Sequence, residues 1–196
     1  MEKVIASLVN FIIKNSDDEI KNQEILKYGL ELLILKTFFV SILLIIGILS
    51  GNILESIVFT VSFSQIRSIS GGYHAKSRLS CLIISVLLFI VAILLLKIQT
   101  QCKWLFWGIA GISFILSIFL FIVSPIDTEN KRLDEAEYQF FRKKAHFTLA
   151  IEIIIACIFL LIGLKSMSFM ILIGLIEAAF LVSLEFLKRC FSNEKV

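Results

Sequence analysis

The chain predicts an all-α polytopic membrane protein, with about six transmembrane helices preceded by an amphipathic helix lying on the membrane surface. Two observations carry this. Hydrophobic residues make up 58% of the sequence, with eighteen Phe, and mean hydropathy is +0.95. A chain of this length cannot hide so much apolar surface in one soluble core, so lipid must cover the rest. The net charge of +3 is small and spread over short segments between apolar stretches. That pattern reads as topology signals and excludes nucleic acid as a partner.

Met1, Ile5, Leu8 and Ile12 recur at helical spacing, with Val4, Val9 and Ile13 widening the stripe. Residues 1–15 are therefore read as an interfacial helix. Asn15, Ser16, Asp17 and Asp18 stand where a small-residue cleavage site would fall, so this segment is expected to stay attached. Ser16 and Glu19 have the spacing of a capping box, which starts a new helix near Asp17 that runs into the apolar stretch 30–50. The stretch 53–66 carries Glu55 and is short against the roughly 20 residues of a span. Clearer spans follow over 79–96, 104–124, 147–164 and 167–187, and the whole of 1–196 reads as one membrane-embedded domain.

Charge bias decides the ambiguous stretch. If 53–66 crosses and the N-terminus is inside, only Lys97, Lys103 and Lys165 of the nineteen Lys and Arg fall outside, with Lys36 within a span. Without that crossing the bias weakens, so the positive-inside rule favours six crossings with both termini cytoplasmic. Residues 67–78 then lie on the cytoplasmic face and Cys81 sits about one helical turn, roughly 5 Å, inside it. The loop 125–146 lies on the same side, and its second half reads as an amphipathic lead-in to the fifth span.

The chemistry concentrates in Arg67, Ser70, Gly71, Gly72, Tyr73, His74, Ala75, Lys76 and Cys81. An imidazole near a thiol can take its proton and stabilise the thiolate, the usual activation of a cysteine nucleophile. On one unbroken helix, residues seven apart are separated by about 10 Å along the axis, too far for a hydrogen bond. The pairing of His74 with Cys81 therefore requires the helix to break, and Gly71 and Gly72 suit an irregular backbone over 69–77. The Cys81 helix would then offer backbone N–H groups to a thiolate or oxyanion. The competing reading is a plain cytoplasmic loop with turn glycines, topology-setting charges and interfacial Tyr73 and His74. Arg67 clamps a substrate carboxylate or anchors the loop, the latter being the simpler role.

The run from Arg67 through Gly71, Gly72, Tyr73, His74 and Ala75 to Cys81 resembles the signature of the accessory gene regulator B (AgrB) family, membrane cysteine endopeptidases of Gram-positive quorum-sensing systems. Ser124, Pro125, Asn130 and Lys131 resemble a second family motif, from which the following Arg132, Leu133 and Asp134 depart in having no proline. The resemblance implies that His74 and Cys81 are catalytic and that Arg67 and Gly72 are needed for activity, with Gly71 and Lys131 supporting or binding substrate. It also implies an AgrD-type precursor peptide as partner, held on the inner face of the bacterial cytoplasmic membrane. Cys81 would cut before the precursor's C-terminal tail through an acyl-enzyme thioester, and the precursor's own Cys or Ser would close an autoinducing thiolactone or lactone ring.

No metal set is legible, since Cys81, Cys102, Cys157 and Cys190 form no C-x-x-C pair and lie in different zones, and no cofactor is called for. Glu55 and Gln65 are the nearest candidates for orienting His74, and His146 reads as an interfacial residue. A homodimer fits a small bundle of this type, though no Gly-x-x-x-Gly in a clear span marks an interface. Glu177, near a span's midplane, is costly there unless paired, protonated or facing water. It supports the alternative class, a peptide exporter or permease without proteolytic activity.

Overall fold

A computed structural model of the chain describes residues 23–72, 78–126 and 134–191, together with positions 7, 9 and 12. The last three are helical. The rest of the expected interfacial helix and the Ser16–Glu19 start signal lie outside the described residues. The chain divides into two units, Met1–Ile42 and Leu43–Val196.

The described residues form helices α1 (Gln23–Ser50), α2 (Ile53–Ser70), α3 (Arg78–Gln101), α4 (Lys103–Val123), α5 (Glu135–Leu161) and α6 (Lys165–Phe191). All but α2 are long and apolar enough to cross a membrane. The protein is a polytopic all-α membrane protein. α2, at 18 residues, is about 27 Å long, close to the roughly 30 Å hydrocarbon thickness. It falls short on apolarity because Glu55, Gln65 and Arg67 lie along it and because Ser56, Thr60, Ser62 and Ser70 are buried in place of aliphatic side chains.

Those small residues have a packing purpose. α6 is the central helix: 67% of its apolar window is buried, against 28% or less for the other four, and it packs against α2, α3, α4 and α5. A Cβ on Gly174 would stand 3.3 Å from Ser62 Oγ and 3.4 Å from the Phe63 backbone nitrogen. Small residues at this seam let α2 and α6 approach closely, as membrane helices do where hydrophobic exclusion gives no drive. Phe59 fills the space beside the seam, stacked on Phe63 at 5.5 Å and tilted against Phe89 of α3 at 5.3 Å. At the far end of α2, Glu55 accepts a hydrogen bond of 2.9 Å from the Ser166 hydroxyl of α6.

The helices run past the expected spans wherever polar residues flank an apolar core. α5 is continuous from Glu135, so the amphipathic lead-in and the fifth span are one helix of 27 residues. Its start is set by a capping box, Asp134 with Glu137, which satisfies backbone donors left orphaned in the first turn. α2 continues to Ser70, so the break expected from residue 69 begins instead at Gly71.

Candidate active site

α2 ends where its backbone turns left-handed, at Gly71 (φ 72) and Gly72 (φ 111), a region glycine enters without steric cost. Each glycine has a neighbour that crowds the place of a side chain. Gly71 forms a parallel bridge with Ile126, and the Ile126 N–H donates to the Ser70 carbonyl at 3.0 Å. A Cβ on Gly71 would collide with the Ile126 carbonyl oxygen. Gly72 is pressed against α6, so a Cβ there would lie 3.1 Å from Leu181 O, Val182 Cα and Arg67 Nη1. The glycine pair thus ties the end of α2 both to the Ser124–Ile126 segment after α4 and to the backbone of α6.

Arg67 lies in the last turn of α2. Its Nη1 donates to the Gly71 carbonyl, closing the helix end. The same guanidinium lies beside the Cys81 side chain on α3 and within electrostatic range of Glu185 on α6. Cys81 is half-buried and is the fourth residue of α3, within the turn whose backbone N–H groups have no intrahelical acceptor. Downstream, the Ser85 hydroxyl caps the Cys81 carbonyl at 3.0 Å.

The structure therefore brings Arg67, Gly71, Gly72 and Cys81 together. His74 and Lys131 lie outside the described residues, although the chain holding His74 leaves from Gly72 and returns at Arg78, and the chain holding Lys131 leaves from Ile126. Glu55 is engaged by Ser166, about 18 Å along α2 from Arg67, and does not belong to this end of the bundle. Gln65 is exposed. His146 stacks on Phe121 at 3.8 Å and its Nε2 lies 2.8 Å from the Phe121 carbonyl, tying α5 to the end of α4. All four cysteines are free. Among the described residues no group of three or more His, Cys, Asp or Glu is placed to hold a metal ion.

Glu185 is absent from the sequence reading, and Ile126 enters it only as part of the loop 125–146. Glu185 sits just before Lys188 and Arg189 and looks like part of a solvated helix end, yet it is only 4% exposed. A cavity of about 180 Å³ lined by Phe106, Trp107, Ser113, Phe114 and Cys157 is remote from this chemistry. It is formed by the first half of α4, the last turns of α5 and the first turns of α6, which is the end of the bundle opposite Cys81.

Fold and site together define a polytopic membrane protein with a thiol held against an arginine at one end of its bundle. Comparison with known families is consistent with that class. The chain belongs to the accessory gene regulator B family, which matches residues 5–184 and is known for processing quorum-sensing peptides. An AgrB-like protein of Listeria monocytogenes is 29% identical over 148 residues, covering 76% of this chain and 70% of the relative. One of Listeria welshimeri is 28% identical over 171 residues, covering 85% and 81%. AgrB-like protein 2 of Clostridium perfringens is 30% identical over 135 residues, covering 67% and 62%. No solved structure matches the chain.

Proposed function

We propose that the chain is a membrane-embedded cysteine endopeptidase that matures a short AgrD-type precursor peptide in quorum sensing, working from the cytoplasmic face of a bacterial membrane. The observation that carries this reading is the placement of the Arg67 guanidinium, at the glycine-ended last turn of α2, beside the Cys81 side chain in the first turns of α3. The bias of Lys and Arg toward one set of loops supports the sidedness.

In this mechanism His74 takes the Cys81 proton and the sulfur attacks the carbonyl carbon of the peptide bond before the precursor's tail. The carbonyl oxygen becomes an oxyanion, stabilised by N–H groups at the start of α3. The C–N bond then breaks, the imidazolium returns its proton to the departing amine, and the tail leaves. The remaining acyl group is a thioester on Cys81. A thiol or hydroxyl of the precursor attacks its carbonyl carbon, a new thioester or ester ring bond forms, the carbon–sulfur bond to Cys81 breaks, and the nucleophile's proton passes to the departing Cys81 sulfur. An amide gives way to a less stable thioester in the first half, so flux depends on removal of the tail or of the cyclic product. Arg67 offsets the negative charge that the sulfur carries as it attacks, and the glycine pair fixes the helix end that presents it.

The test is tail cleavage of a candidate precursor in membranes holding wild type, Cys81→Ser or His74→Ala. Both variants are expected to insert normally and to release no tail. Tail release by inserted Cys81→Ser would sink the reading and leave the exporter class ahead.

A further inference from the structure

The site described so far gives Arg67 one partner on its own helix end and one on α3. The third side of the guanidinium faces α6. Gly72, in contact with Arg67 Nη1 and with Leu181 and Val182 at a Cβ distance of 3.1 Å, shows that α6 passes directly behind the arginine. One turn beyond Val182, the same helix carries Glu185, 4% exposed. A carboxylate so buried is strongly unfavourable unless a cation compensates it. Its neighbour Arg189 approaches through Nε at 4.0 Å, beyond hydrogen-bond distance. Among the described residues Arg67 is a further cation within electrostatic range of Glu185, across the α2–α6 seam.

We infer that Glu185 is a positioning residue of the peptidase site: its buried carboxylate is the counter-charge that holds the Arg67 guanidinium in register between the Gly71 carbonyl and Cys81. This rests on the reading that Arg67 activates Cys81. A guanidinium has five donors in a rigid fork, so fixing one edge of it fixes where the others point. With Gly71 holding one edge and Glu185 drawing on another, the remaining donor is aimed at the sulfur. The carboxylate also makes the arrangement neutral enough to be buried, since Arg67 alone would be drawn out toward water. Glu185 touches no substrate and acts only through Arg67. Arg189 shares the carboxylate from the surface side and is not needed for the register.

The experiment is iodoacetamide alkylation of Cys81 across pH in membranes, with Cys102 as internal reference, for wild type, Arg67→Ala, Glu185→Gln, Glu185→Asp, Arg189→Gln and the Arg67→Ala/Glu185→Gln pair. Glu185→Gln is expected to lower the neutral-pH rate about tenfold, the scale of one charge-assisted hydrogen bond, and to move the profile to higher pH. Glu185→Asp should recover most of the rate. Arg67→Ala should lower it as far, and the pair no further, because both residues act through one contact. Arg189→Gln should leave the profile in place, and it remains informative if Glu185→Gln fails to insert. A Glu185→Gln profile that coincides with wild type while Arg67→Ala drops overturns the inference and leaves the activation by Arg67 standing. So does a faster Cys81 in Glu185→Gln, or an Arg189→Gln loss as large as that of Glu185→Gln. If Arg67→Ala leaves alkylation unchanged, the underlying reading falls and the inference with it.

Discussion

Arg67, in the last turn of α2, lies beside the side chain of Cys81, in the first turns of α3. The contact joins two helices whose connection begins with left-handed Gly71 and Gly72, so the cysteine's environment is set by the end of another helix and not by its own neighbours in sequence. The reversal that makes this possible is built from the glycine pair and from the surfaces that pair leans on.

The identity of the cation should therefore matter as well as its charge. Arg67→Ala is expected to reduce tail cleavage by about ten- to a hundredfold, the range for losing a hydrogen bond to a charged group. Arg67→Lys should recover only part of this, because an ammonium cannot hold the Gly71 carbonyl and Cys81 with one rigid fork. Steady-state cleavage of a precursor by the three proteins checks it, with equal rates for Lys and Arg as the contrary result.

The two glycines should fail in different ways. Gly72→Ala adds a methyl at 3.1 Å from the α6 backbone and from Arg67, in a region of φ that costs an alanine about 1–3 kcal/mol. It is expected to lower thermal stability and to displace Arg67, so Cys81 alkylation slows. Gly71→Ala instead collides with the Ile126 carbonyl, and its first effect should be release of the segment that follows α4. Limited proteolysis between residues 126 and 134 measures that release, which Gly72→Ala should not accelerate to the same degree.

Much of this architecture is legible in the sequence because apolar runs announce spans, and the stretches at 30–50, 79–96, 104–124, 147–164 and 167–187 all lie within or largely overlap observed helices. Their ends are less legible. Lys97–Gln101 and Glu135–Lys144 are polar yet helical, since a helix leaving the hydrocarbon region can go on in water if its first or last turn is satisfied. The seam between α2 and α6 is hidden for a related reason: Ser62 and Gly174 look like weak membrane residues, but small size is what close helix approach demands. From its residue type and position alone Arg67 reads as a loop anchor, and its place beside Cys81 emerges only when α3 is folded back next to α2. Glu185 is obscured by the charges that follow it.

The start of α5 offers a test of a signal that the sequence does contain. Asp134 accepts from the Glu135 N–H at 2.7 Å and belongs to a capping box with Glu137. Asp134→Ala is expected to cost about 1 kcal/mol and to fray the helix only near its start. Hydrogen exchange should quicken around residues 135–138 while protection near Thr148, which is buried, stays as in wild type. Faster exchange along the whole helix would show that the cap governs more than its own turn.

Glu177 separates the two functional classes. It is 6% exposed, and neither carboxylate oxygen has a hydrogen-bond partner among the described residues. A carboxyl group in that setting contributes little to stability, since burial of its charged form is strongly unfavourable and nothing described compensates it. Glutamine keeps the shape and removes the ionisable group. For a peptidase whose chemistry lies at Arg67 and Cys81, Glu177→Gln should leave tail cleavage within about twofold of wild type and leave stability equal or higher, because replacing an unpaired buried ioniser by an isostere is near neutral or favourable. An exporter using this carboxylate for coupling would instead lose transport outright. Cleavage and product release measured on the same Glu177→Gln membranes decide between them: intact cleavage with intact release leaves the carboxylate as packing. Intact cleavage with abolished release would make the chain a peptidase that also moves its product, with Glu177 on the path.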